Sequence, residues 1–292
     1  MKARANGIEI EYETYGDPAN PTILLIMGLG AQLTLWPLPF VEALVARGYR
    51  VIRYDNRDVG LSTKLDTAGR PRLGLMLFQR MLKMQPRVAY KLSDMAADAI
   101  GLLDALGIDK AHIVGASMGG MISQLVAATY PQRTLSLTSI MSTTGNPALP
   151  RAKREAMDVL VNRPKTTDID ALVAHGIRAA QVTGSPAYPI APDLLATRVR
   201  ETVERSSYPD GFARQMAAII ADGDRRHRLK AIKAPTVIVH GAADPLVTIE
   251  GGRDTAASIP GARLIEIPGM GHNLPVELIP QIAHAIESVA RR

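Results

Sequence analysis

Cysteine is absent from the 292 residues. That excludes a disulfide scaffold, a thiolate metal site and a cysteine nucleophile. It suits a reducing compartment, and a cytoplasmic location is expected. Aromatic residues make up only 4% of the chain, too few to interleave with a basic stripe as a nucleic-acid surface requires. The longest apolar run, Ile23–Leu29, falls far short of the roughly 20 residues of a membrane span. The opening segment MKARANGIEIEYE has no apolar core of the secretory-signal type. A phosphate-binding G-x-x-x-x-G-K-[ST], an H-E-x-x-H and any histidine pair at i, i+4 are also missing. No metal site and no cofactor are therefore expected.

What is present suffices for a sizeable core. Hydrophobic residues make up 47% and charged residues 21%, which fits one large domain or a domain carrying one insertion. The net charge of +6 is concentrated: between Lys64 and Lys91 seven basic residues meet one acid, Asp66, and the rest of the chain is formally neutral. Within that stretch Leu73–Gln85 reads as a surface helix with a buried apolar side and a basic outer face. The same apolar side would also serve as a pocket wall or as a membrane-surface contact.

Short apolar runs alternate with helical patterns in the first half. Ile8–Tyr15, Thr22–Met27, Tyr49–Tyr54, Ala111–Val114 and Leu135–Met141 read as strands, and the continuous run TILLIM suits a strand buried on both faces. Phe40–Arg47, Ser93–Leu106 (capped by Ser93, stopped by Gly107) and Met118–Tyr130 read as helices. From Asn146 to about Lys230 the pattern changes to amphipathic helices separated by Pro- and Gly-rich turns. Strands resume at Thr236–His240 and Ala262–Ile267, before a last helix over Pro275–Ala290. The βαβα alternation predicts a mostly parallel α/β sheet with helices on both faces. We expect residues 1–145 and 231–292 to form this core, and residues 146–230 an inserted helical cap above the carboxyl ends of the strands, where such sheets bind ligands.

Gly115-Ala116-Ser117-Met118-Gly119 matches G-x-S-x-G between a buried strand and a helix, the setting of a nucleophile elbow. The turn is tight enough to require its glycines, and the helix start turns free N–H groups toward developing negative charge. A serine hydroxyl needs a base and a group to orient that base. Asp244 follows the strand ending at His240, and His272 follows the next strand, giving the chain order Ser, Asp, His of this architecture. His272 is the expected proton acceptor and Asp244 its orienting partner. His240 and His112 read as structural, His175, His227 and His284 as solvated surface, and Asp254 as helical. The expected oxyanion donors are the backbone N–H groups of Met118 and of Leu29, the latter within Met27-Gly28-Leu29-Gly30. A dinucleotide fingerprint starting at Gly28 fails, because Leu33 stands where its third glycine belongs. Trp36 suits either packing or the pocket.

Together Ile26–Gly30, Arg53–Ser62, Gly115–Gly120, Asp244 and Pro268–His272 resemble the serine-hydrolase branch of the α/β-hydrolase fold. Within it the chain is similar to the aclacinomycin methylesterase-like carboxylesterases, which share the Met-Gly oxyanion loop and the PGMGH ending. The resemblance implies an α/β-hydrolase fold, ester hydrolysis through an acyl-enzyme, and a loop-bracing role for Asp55, Arg57 and Ser62. Many relatives carry His-Gly where this chain has Met27-Gly28, so the bonds of that histidine do not carry over. A serine nucleophile argues against haloalkane dehalogenase and epoxide hydrolase chemistry, where this fold uses aspartate. Lactone, thioester or carbon–carbon hydrolysis, acyl transfer, and a non-catalytic ligand-binding role remain alternatives on the same scaffold. The expected partner is a small-molecule ester, with no nucleic acid and no integral membrane segment; a homo-oligomer is compatible with the sequence.

Overall fold

The structure, a computed structural model, describes residues 1–82, 84–164 and 166–291. Lys83 of the basic segment, Lys165 of the expected cap and Arg292 lie outside the described residues. The elements run β1 Lys2–Ala5, β2 Ile8–Tyr15, β3 Thr22–Ile26, α1 Leu38–Val45, β4 Arg50–Tyr54, α2 Leu73–Met81, α3 Leu92–Ala105, β5 Ala111–Ala116, α4 Met118–Thr129 and β6 Thr134–Ile140. They continue with α5 Arg154–Val161, α6 Ile169–Thr183, α7 Pro192–Arg205, α8 Pro209–Asp222, α9 Arg226–Leu229, β7 Thr236–Gly241, α10 Ile249–Ser258, β8 Arg263–Ile267 and α11 Ile279–Ala290.

Among the described residues eight strands form one sheet in the order β1-β2-β4-β3-β5-β6-β7-β8. β1 and β2 pair antiparallel with each other, and β2 pairs antiparallel with β4; every other pairing is parallel. The strand β1 adds an edge that hydrophobic patterning does not signal, since KARA carries little apolar surface.

β3 shows why the continuous apolar run is needed. Its five residues are fully or nearly fully buried. Ile23 and Leu25 face the layer of α1 and α11, while Leu24 and Ile26 face the layer of α3 and α4. Alternate side chains thus feed two cores, and each buried aliphatic side chain contributes about 1.5–3 kcal/mol. Trp36 belongs to the first core: it is fully buried and stacks on Phe40 with ring centroids 5.4 Å apart, so it packs rather than lining a pocket.

Two local expectations need correction. The cap of α3 is Lys91, not Ser93: the Asp94 carboxylate accepts from the Lys91 N–H at 2.8 Å, while Ser93 is exposed inside the first turn. And α2 does not bury its apolar side. Only Met76 is buried, whereas Leu75, Leu77, Phe78 and Met81 are exposed. Among the described residues no helix is long and apolar enough to cross a membrane.

Helices α5 to α8 all lie between β6 and β7 in the chain. Polar side chains fasten α7 and α8 to the sheet end. Arg214 of α8 grips Asp58 through Nε at 2.8 Å and Nη2 at 2.9 Å, and both residues are buried. Arg205 of α7 donates to Asp55 at 2.8 Å.

Candidate active site

Ser117 sits between the end of β5 and the first residue of α4 with φ 56° and ψ −121°. That conformation costs a non-glycine residue about 1–3 kcal/mol and persists only where the surroundings enforce it. Here they do. The Ser117 N–H donates to the Ile140 carbonyl at 2.9 Å, and its own carbonyl accepts from the Ser142 hydroxyl at 2.8 Å. Gly115 and Gly119 make the turn possible. A Cβ on Gly115 would lie 2.1 Å from the Gly119 carbonyl oxygen, and one on Gly119 1.9 Å from the Ile26 carbonyl oxygen. Helix α4 therefore packs backbone to backbone on β3.

β7 and β8 end beside this turn, and the loops that follow them deliver Asp244 and His272. His272 Nε2 lies 3.0 Å from Ser117 Oγ, and His272 Nδ1 lies 2.7 Å from Asp244 Oδ2. A carboxylate only accepts, so Nδ1 carries the proton and Nε2 is left to accept from the serine hydroxyl. Asp244 is itself oriented: Oδ1 accepts from the Leu246 N–H at 2.8 Å and the Val247 N–H at 2.9 Å. Asp244 is buried, while Ser117 and His272 keep partial exposure.

The competing histidines stand apart from this chain of bonds. His240 approaches Asp244 Oδ2 only to 3.7 Å and bonds the Val247 carbonyl at 2.8 Å. Burial lowers its pKa, so the neutral ring buttresses the loop. His112 pairs with the Ser136 hydroxyl at 2.8 Å inside the sheet, and burial pushes its pKa down to about 4. Asp254 binds Thr144 and Asn146 instead of a histidine.

Gly28 lies against the serine: a Cβ there would stand 3.1 Å from Ser117 Cβ. The next residue is Leu29. Among the described residues neither the Leu29 N–H nor the Met118 N–H has a hydrogen-bond acceptor. No three His, Asp or Glu residues among those described are grouped to hold a metal ion.

Several supporting residues carry no sequence signal because their partners are remote. Gln215 of α8 accepts from the Gly30 N–H at 2.7 Å and donates to the Arg57 carbonyl at 2.7 Å, so it ties the loop of Gly28–Gly30 to the Arg57 loop. Asn56 donates to the Met27 carbonyl at 2.9 Å. Thr183, at the end of α6, accepts from the His272 N–H at 2.7 Å, and the Ser185 hydroxyl accepts from the Gly271 N–H at 2.8 Å. The histidine loop is thus held by residues that lie between β6 and β7 in the chain.

The three residues singled out for bracing are found at the same sheet end. Asp55 accepts from the Leu33 N–H at 2.7 Å and the Leu61 N–H at 2.8 Å. The Ser62 hydroxyl donates to the Asp55 carbonyl at 2.6 Å. Arg57 makes a buried two-pronged pair with Asp98, both contacts 2.6 Å.

Gln215→Leu removes the side-chain acceptor that, among the described residues, the Gly30 N–H uses. Leaving a part-buried donor unpaired costs about 1–3 kcal/mol, and the loop of Leu29 loosens with it. The expected result is an approximately tenfold or greater loss of kcat with a folded protein; steady-state kinetics beside a thermal melt checks it.

A family model described as alpha/beta hydrolase fold matches residues 21–277. The rhodomycin D methylesterases of Streptomyces peucetius and Streptomyces sp. (strain C5) are each 30% identical to this chain, over 94% of it and 92% of their own length. Among solved structures, the enol-lactonase from Burkholderia xenovorans LB400 superposes with a TM-score of 0.72 at 23% identity, covering 100% of this chain and 98% of its own.

Proposed function

The chain belongs to the alpha/beta hydrolase fold family, an ester-hydrolysing enzyme by its methylesterase relatives, and from that premise we propose a cofactor-free serine carboxylesterase. The observation that carries the reading is the unbroken chain Ser117 Oγ, His272 Nε2, His272 Nδ1, Asp244 Oδ2, with contacts of 3.0 Å and 2.7 Å.

In this reading Ser117 Oγ attacks the ester carbonyl carbon while His272 Nε2 takes its proton. The imidazolium that forms is stabilised by Asp244. The carbonyl oxygen becomes an oxyanion between the Leu29 and Met118 N–H groups, at the start of α4 where the helix dipole adds to the attraction. Collapse breaks the bond to the alcohol oxygen, which leaves with the proton from His272. A water then gives its proton to His272 and attacks the acyl carbon. The second tetrahedral intermediate returns Ser117 and releases the acid.

We assign residues 1–145 and 231–292 to the hydrolase core and 146–230 to a cap over the site. Gln215, Thr183 and Ser185 support this, since each bonds a loop that carries site residues. Phe212 supports it too: its ring lies where a Cβ on Gly30 would be, 2.6 Å away. The relatives' names make methyl esters of carboxylic acids the first natural class to try.

The test is hydrolysis of a p-nitrophenyl ester series from acetate to palmitate, together with simple methyl esters. Turnover is expected, with a chain-length optimum that sizes the space under the cap. A folded protein inactive on every ester would overturn the carboxylesterase reading in favour of lactone, thioester or carbon–carbon substrates, or of ligand binding.

A further inference from the structure

Helix α2 is amphipathic in the reverse sense. At 100° per residue, Leu77, Met81, Phe78, Leu82 and Leu75 fall within an arc of roughly 160°. All five are half or more exposed, from 50% for Leu75 to 72% for Met81, and Met84 just beyond is 52% exposed. The opposite side carries Met76, Gln79 and Arg80, and it is this side that packs along α8. Its anchors are largely polar. The Arg80 guanidinium reaches Gly223 at the end of α8, and Gln85 donates to the Ala221 carbonyl at 3.1 Å. The helix therefore turns its greasy side outward while polar groups hold it down. A single exposed leucine is ordinary; a face of five large exposed apolar side chains, with a sixth just beyond it, marks an interaction site.

The charge around this face selects its partner. Arg70 and Arg72 precede the helix, Arg87 and Lys91 follow it, and all four are exposed. Arg70 makes a long contact of 3.7 Å with Asp210. Among the described residues Arg72, Arg87 and Lys91 form no ion pair. We propose that α2 is a membrane-docking helix that seats its apolar face in an anionic lipid surface, with the flanking arginines and Lys91 on the headgroups. Apolar insertion and basic flanks are the two halves of interfacial binding, and each alone is weak. A second copy of this chain fits less well: two-fold packing of α2 on α2 would bring like-charged arginine flanks together. Because α2 lies along α8, which also carries Phe212 and Gln215, docking sets the cap edge against the lipid.

The experiment is co-sedimentation of the full chain with phosphatidylglycerol vesicles and with phosphatidylcholine vesicles. Binding to the anionic vesicles is expected, and it should fall away near 1 M salt, where the screening length is about 3 Å. Phe78→Ser with Met81→Ser should cut binding at least tenfold. Arg72→Glu with Arg87→Glu should cut it by about fivefold per lost positive charge or more. Both double variants change exposed side chains outside the catalytic machinery, so a thermal melt and turnover of a water-soluble ester should match wild type. No binding to either vesicle overturns the proposal. So does equal binding to both vesicle types regardless of salt. A concentration-dependent dimer that Phe78→Ser with Met81→Ser dissolves, without lipid binding, would instead assign the face to a second copy.

Discussion

Ser117→Ala is expected to leave a folded protein whose ester turnover has dropped by roughly 10³- to 10⁶-fold. The direction follows from the bond order at the site. Ser117 Oγ is the atom within 3.0 Å of His272 Nε2, and no water positioned by an empty serine site inherits the covalent step. In the proposed mechanism, whatever activity survives measures the Leu29 and Met118 N–H groups and substrate binding alone. Folding is spared because the backbone of residue 117, not its hydroxyl, bonds to Ile140 and Ser142. Relief of a β-carbon at positive φ is not in question either, since alanine keeps it. His272→Ala should lose activity on the same scale, and the two losses should not add, because the residues act as one unit. Matched far-ultraviolet dichroism and melting curves separate lost chemistry from lost fold.

Asp58→Ala should cost about 3–5 kcal/mol of stability, because it strands a buried arginine. Arg214 is only 3% exposed and Asp58 1%. Besides Asp58, among the described residues Arg214 donates to the Gly69 carbonyl at 2.9 Å and the Tyr208 hydroxyl at 2.8 Å, neither of which balances its charge. A double-mutant cycle with Arg214→Met should show strong coupling, since the neutral pair leaves no unpaired charge. Activity should fall along with stability, because Gln215, the next residue of α8, loses its footing on the Gly30 loop.

The same pair has a pH signature. Burial alone would raise the Asp58 pKa, but bonds from Arg214 and the Leu65 N–H outweigh it and hold the carboxyl below its ordinary range. A carboxyl with a depressed folded pKa contributes stability above its unfolded pKa and loses it as pH falls through the folded value. The stability gap between wild type and Asp58→Asn should thus be flat from about pH 7 to pH 5 and close below about pH 4. Urea midpoints across that range check it.

Much of this architecture was legible in the sequence because the signals are local. TILLIM announces a strand buried on both faces, and β3 divides its side chains between two cores as that composition requires. G-x-S-x-G between strand and helix demands close backbone approach, and the approach of Gly119 to Ile26 is the physical reason for the glycine. Asp244 and His272 could be placed at one sheet edge because parallel strands all end there. What escaped is nonlocal. Gln215 bonds a residue 185 positions away, and the Thr183 carbonyl accepts from the distant His272 N–H; no spacing rule links such pairs. The fate of α2 was also illegible. Periodicity shows that a helix has an apolar side but not which way that side turns, and here Arg80 and Gln85 decide it by holding the polar side to α8.

The most direct test of the central claim is mass spectrometry after treatment with an activated phosphonate ester, a reagent that forms a stable tetrahedral adduct on an activated serine. The account predicts a single phosphonyl group on the peptide containing Ser117, loss of ester turnover in proportion to labelling, and no labelling of His272→Ala. Turnover that persists in fully Ser117-labelled protein, or a label that falls on another residue while activity is lost, would contradict it.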